Sequence, residues 1–211
     1  MRTKTLLLSA AALAAGLASS MAQSNVYSVN IVGYVNKALA ENALELVQNP
    51  LDDGTNTLNS TMLGLSAGTI AYVWNGSGYT SSTRGKSVWS PDLNVPTGLG
   101  MFVRRVGTVG TNTYVGEVVA NVGTSVTNPL AADVLTLTGS LIPYADTLNG
   151  TNLGLAGAPQ GSILYKWNGS GYTSSTRGKS VWSPDLSIDV GESFFIRSAA
   201  DFNWVQTLPA N

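Results

Sequence analysis

The chain has 211 residues, 11 basic and 12 acidic, with no histidine and no cysteine. The missing residue types exclude a Ser-His-Asp triad, a Cys-His pair, thiolate or imidazole metal sites and disulfides, and the weak net charge offers no basic footprint for nucleic acid. Only 11% of residues are charged, against about 25% in an average soluble domain; Ser, Thr, Asn and Gly replace them, as on a β-rich extracellular surface.

In chain order, Arg2 and Lys4 give a positive start, and Leu6 to Ala18 is a run of Leu, Ala, Ser and Gly. Ser20-Met21-Ala22 then places small residues where a signal peptidase reads. This pattern predicts a signal peptide over 1–22, cleaved after Ala22, and an exported product in the periplasm, at the cell surface or outside the cell. The apolar run is shorter than the ~20 residues that cross a bilayer, and no basic stop-transfer cluster follows, so the mature chain is expected to have no membrane span. Loss of Arg2 and Lys4 with the leader leaves nine basic residues against 12 acidic ones.

Val26 to Val35 alternates, with Tyr27, Val29, Ile31 and Val35 on one face, which predicts a strand. Ala43 to Val47 is a second strand, ended by Asn49-Pro50 and the turn residues Asp52-Asp53-Gly54. Thr57 to Leu65 suits a single helical turn capped by Asn56 or Thr57. Thr69–Trp74 and Tyr79–Thr83 read as a hairpin around Asn75-Gly76-Ser77-Gly78, and Ser90-Pro91-Asp92 as another turn. Met101–Arg105 and Thr113–Val119 follow as strands, the latter expected to run through the middle of the chain without a break. The order then repeats with strands at Ser162–Trp167, Tyr172–Thr176, Ser193–Arg197 and Asn203–Leu208.

That repetition is literal in one place. Residues 74–93 and 167–186 are identical over 20 positions, an offset of 93. Similarity continues outward: Leu63-Gly64-Leu65 matches Leu153-Gly154-Leu155, and Phe102-Val103-Arg104 matches Phe195-Ile196-Arg197. Val35 to Ala40 has a fainter echo in Val126 to Ala131. The expected fold is therefore all-β: two tandem homologous sandwich- or barrel-like units over 23–115 and 116–211. Each has about the size of a small domain, and no Pro/Gly/Ser linker separates them.

The duplicated block carries the candidate ligand-binding residues Trp74, Tyr79, Arg84, Lys86, Trp89 and Asp92, with Trp167, Tyr172, Arg177, Lys179, Trp182 and Asp185 as the second set. On a binding reading, flat rings stack on sugars while the polar groups hydrogen-bond hydroxyls, and two weak sites gain avidity on a polymer. On a structural reading, Trp74 and Tyr79 pair across their hairpin and Trp89 plugs the core; copying between the halves would also leave identical stretches. The polar run Thr80 to Ser87, with its Arg84-Gly85-Lys86 apex, is expected to be exposed. Asp52-Asp53-Gly54-Thr55-Asn56 has clustered oxygens but not the spacing of a calcium loop, so a polar turn is expected. No catalytic residue, cofactor or metal is expected.

The strings Val26 to Val35, Leu46-Val47-Gln48-Asn49-Pro50-Leu51, Ala71-Tyr72-Val73-Trp74-Asn75-Gly76 and Gly98-Leu99-Gly100-Met101-Phe102-Val103 resemble those of small uncharacterised exported proteins of environmental bacteria. They are also similar to motifs in β modules of large bacterial surface proteins. The resemblance implies a fold type and brings no activity or functional residue with it. The resulting expectation is an exported, non-catalytic protein with a structural or adhesive role, self-assembling through edge strands. A carbohydrate-binding module for a surface polysaccharide is the alternative, and a glycan-cleaving enzyme the third reading.

Overall fold

The computed structural model describes residues 31–107 and 110–209. The signal peptide predicted over 1–22, and the part of the first predicted strand before residue 31, lie outside the described residues. What is described is almost all β, sixteen strands in antiparallel sheets with two short helical turns. Among the described residues no helix is long and apolar enough to cross a membrane.

The first half runs β1 (Val32–Leu39), β2 (Leu44–Gln48), α1 (Leu58–Thr61), β3 (Ile70–Trp74), β4 (Tyr79–Arg84), β5 (Trp89–Ser90), β6 (Gly100–Arg104) and β7 (Gly110–Glu117). Its five-stranded sheet has the order β2-β6-β3-β4-β5, while β1 pairs with β7 as a separate ribbon. The second half runs β8 (Ser125–Leu130), β9 (Leu135–Gly139), β10 (Asp146–Thr147), a 3-10 turn (Leu155–Gly157), β11 (Ile163–Trp167) and β12 (Tyr172–Arg177). It continues through β13 (Trp182–Ser183), β14 (Ser187–Ile188), β15 (Ser193–Arg197) and β16 (Phe202–Thr207). Here the sheet order is β9-β15-β11-β12-β13, with the ribbon β8-β16. The short β10-β14 pair corresponds to a single bridge, Thr57 to Asn94, in the first half.

Local chemistry sets these elements. Asn75 Oδ1 accepts the backbone N–H of Ser77 at 3.2 Å and of Gly78 at 2.8 Å, closing the β3-β4 turn. Gly76 there has φ +98° and its counterpart Gly169 +97°, conformations that side-chain-bearing residues resist. Thr57, extended at φ −113°, starts α1, and its N–H donates to Ser60 Oγ at 3.0 Å. Most predicted strands fall within a residue or two of the observed ones, but β1 runs on to Leu39, four residues past its predicted end, β7 begins at Gly110 and not Thr113, and the two-residue strands β5, β10, β13 and β14 were not predicted. β7 stops at Glu117, and the chain reverses through a turn in which Gly123 N–H donates to the Leu208 carbonyl at 2.8 Å. The apolar alternation through Val118 and Val119 hid that break; Gly123, at φ +75°, lies in the turn.

Each ribbon covers one face of its sheet. Leu39 and Tyr114 of the first ribbon lie with Val47, Ala71, Met101 and Val103 of the sheet in one buried cluster. Leu130 and Trp204 of the second lie with Leu164, Phe194 and Ile196. Alternation along a strand sends the residues between these to the other face. There Leu46, Phe102, Leu137 and Phe195 form a third buried cluster, flanked by Tyr72, Trp74, Tyr165 and Trp167. That cluster joins the outer faces of the two sheets, so β6 and β15 are buried on both sides.

Candidate functional site

The identical 20-residue blocks split into an inward and an outward set. Trp89 and Trp182 are 2% and 1% exposed, inside their own cores. Their indole N–H groups donate to the carbonyls of Met62 at 3.1 Å and Leu155 at 2.9 Å. An asparagine clamps each: Asn59 Oδ1 accepts the Trp89 N–H at 2.6 Å, and Asn149 Oδ1 accepts that of Trp182 at 2.7 Å. Asp92 and Asp185 accept from the backbone N–H of those asparagines at 3.0 and 3.1 Å, so both carboxylates are turn acceptors.

The polar run predicted to be exposed is so except at two positions in each copy. Ser82 and Arg84 point inward, as do Ser175 and Arg177. Ser82 Oγ–H donates to the Pro91 carbonyl and Ser175 Oγ–H to that of Pro184, each at 2.6 Å. Arg177 Nη2 donates to the Ala156 carbonyl at 2.6 Å, and Arg84 Nη2 to that of Leu63 at 3.4 Å. Strand alternation, which no count of polar residues reveals, put these side chains under the loops. Lys86 and Lys179 remain at the exposed apices. Trp89, Trp182, Arg84 and Arg177 therefore stand away from any open face, and the outward aromatic set reduces to Trp74, Tyr79, Trp167 and Tyr172.

Those four meet where the halves meet. With Phe102 and Phe195 they close a ring of six edge-to-face aromatic contacts. In order these are Trp74–Tyr79 (5.0 Å between centroids), Tyr79–Phe102 (5.8 Å), Phe102–Trp167 (5.4 Å), Trp167–Tyr172 (5.1 Å), Tyr172–Phe195 (5.9 Å) and Phe195–Trp74 (5.5 Å). Each half supplies one Trp, one Tyr and one Phe. Such contacts contribute about 0.5–1.5 kcal/mol beyond area burial. Trp74 and Tyr79 are direct cross-strand partners in the β3-β4 hairpin, as are Trp167 and Tyr172 in β11-β12.

The ring is not sealed. Tyr79 and Tyr172 are 42% and 47% exposed. A cleft of about 370 Å³ opens against Trp74, Leu135, Tyr165, Tyr172 and Phe195. A second, of about 440 Å³, is lined by the counterparts Trp167, Leu44, Tyr72, Tyr79 and Phe102, with Arg104 and again Tyr172. Tyr172 thus walls both clefts. Partial burial, and secondarily the nearby Tyr172 phenol, push the Tyr79 hydroxyl up to about 12. Burial also pushes Tyr172 up. Both are neutral donors and acceptors at ordinary pH. Sequence reasoning missed Phe102, Phe195, Tyr72, Tyr165 and Arg104; the unbroken apolar run Met101-Phe102-Val103 was the signal that β6 is covered on both faces.

The Asp52–Asn56 segment is a self-satisfied turn. Asp52 Oδ1 accepts from Gly54 N–H at 2.8 Å and Asn56 Nδ2 at 2.6 Å; Asp53 Oδ1 accepts from Thr55 N–H at 2.8 Å and Asn56 N–H at 2.5 Å. Burial raises the Asp53 carboxyl, but bonds from the Ser60 side chain and the Asn56 and Thr55 backbone outweigh it, and the net shift is downward. Among the described residues no group of three or more acids is arranged to hold a metal ion. No family model, curated protein or solved structure matches the chain.

Proposed function

We propose that this chain is an exported, non-catalytic β protein of two tandem homologous sandwich-like units, with a structural or adhesive role at the cell envelope or in the extracellular matrix. The observation that carries this reading is the outward face of the first ribbon. Val32, Tyr34 and Val115 are 65%, 72% and 61% exposed, and Tyr34 lies directly opposite Val115. Among the described strands β1 pairs only with β7, so its other edge presents free backbone donors and acceptors. An open strand edge beside a bare apolar face is a template for a second chain. A non-catalytic role is supported by the two open aromatic clefts, whose lining has no carboxylate where glycoside hydrolysis uses a pair.

Sedimentation velocity across a wide concentration range tests the reading. Mature protein is expected to form larger species as concentration rises, and Tyr34→Lys to shift assembly to higher concentration. A monomer at every concentration would remove self-assembly from the proposal.

A further inference from the structure

We propose that the two aromatic clefts act as one extended site for a neutral polysaccharide chain. This goes beyond the structural role and does not require self-assembly.

Three observations fix the ligand chemistry. The lining is aromatic and aliphatic, with Arg104 its one charged group, so no charge-matched ligand is called for. Beside the rings stand rows of hydroxyls. Alternation puts Ser81 and Thr83 on the same face of β4 as Tyr79, and Ser174 and Thr176 on that of β12 with Tyr172. All four are exposed, and their hydroxyls make no hydrogen bond among the described residues. An apolar platform flanked by free hydroxyls suits a pyranose, which has C–H faces and a hydroxyl rim.

The third observation is duplication. Core packing accounts for matching Trp89 and Trp182, Ser82 and Ser175, Arg84 and Arg177. It makes no demand on exposed Ser81 and Thr83, yet these recur unchanged as Ser174 and Thr176 beside the half-exposed Tyr79 and Tyr172. Two half-sites built largely from equivalent residues and joined by the shared Tyr172 wall match a ligand that repeats its own unit. A polymer gains from this by avidity, whereas a single sugar would not.

The test is affinity electrophoresis of the mature protein in gels containing hydroxyethylcellulose, glucomannan or arabinoxylan, with Trp fluorescence as a second readout. At least one of these neutral polymers is expected to retard the wild type, and polygalacturonate to retard it no more. Tyr79→Ala and Tyr172→Ala each remove one exposed anchor and are expected to weaken binding about tenfold; the double variant loses about 100-fold or more as avidity goes. Circular dichroism and thermal unfolding verify that the variants fold. Tyr34→Lys, which addresses assembly, is expected to bind as wild type does. The proposal is overturned if no neutral polymer retards the wild type, or if a folded double variant binds unchanged. It is equally overturned if a proline-rich peptide, which also suits aromatic grooves, shifts the Trp fluorescence while the polysaccharides do not.

Discussion

Gln48 in the first half and Gly139 in the second occupy the same place, each the last residue of the strand that meets the other half. Their backbones behave alike: Gln48 N–H donates to the Gly191 carbonyl at 3.0 Å, and Gly139 N–H to that of Gly98 at 2.9 Å. Their side chains cannot. Gln48 reaches across to donate from Nε2 to the Ser140 carbonyl at 2.8 Å, filling the space a Gly139 side chain would need. A Cβ on Gly139 would lie 2.5 Å from Gln48 Cδ. The indoles of the duplicated block differ as well, although their sequence does not. Trp167 Nε1–H donates to the Leu44 carbonyl at 2.7 Å, while Trp74 Nε1 is buried without an acceptor. Near-copies placed face to face compete for the space between them, so equivalent positions at the junction take different partners, by a change of residue at Gln48 and Gly139 and with the same residue at Trp74 and Trp167.

The comparison is sharpest in the cores, where the halves should be equivalent. Trp89→Ala and Trp182→Ala each empty a fully buried indole site and remove its hydrogen bond to a loop carbonyl. Each is expected to cost about 3–5 kcal/mol, read as a lowered denaturation midpoint. A large loss for one and a small loss for the other would break the equivalence of the two blocks.

At the junction the expected effect is smaller and asymmetric. Gly139→Ala overpacks against Gln48 and should cost about 1–3 kcal/mol. In a Gln48→Ala background the same change has room, and its cost should fall by more than about 0.5 kcal/mol, the coupling expected of residues in contact. Strict additivity in a denaturant-based double-mutant cycle would show that the two side-chain positions do not compete.

How much of this was legible in the sequence follows the same boundary. Period-two alternation, Asn-Gly turns and the 20-residue identity gave most strand positions, because these depend on residues close together along the chain, but they left Trp89 open between a core plug and a ligand platform until its burial decided it. The break after Glu117 was hidden, since Val118 and Val119 continue an apolar pattern that only tertiary packing interrupts. The aromatic ring was half visible: Trp74 and Tyr79 are hairpin partners, but Phe102 reaches Trp167 only because two sheets meet. That Arg84 turns inward depends on the register of β4, which the polar run Thr80 to Ser87 does not disclose.

Conservative changes at the two outward indoles probe their difference. Trp167→Phe deletes a made hydrogen bond, leaving the Leu44 carbonyl to find water, and should cost about 1 kcal/mol more than Trp74→Phe. Trp74→Phe removes a donor that has no partner. Equal losses in thermal unfolding would mean that the Trp167 bond contributes nothing.

The smallest effect is a titration. An unfolded phenol ionises near 10, and Tyr79 in the folded protein near 12. Between those values the native state keeps a proton that the unfolded state has lost. Whatever Tyr79 contributes to stability is therefore fully present below pH 10 and fades as pH rises toward 12. Difference absorbance between wild type and Tyr79→Phe should give a late tyrosinate midpoint. Burial is the larger cause and Tyr172 the lesser, so Tyr172→Phe should lower that midpoint only slightly. A Tyr79 midpoint near 10 in the folded protein would mean that water reaches the phenol freely, and that the ring between the halves is more open than its packing implies.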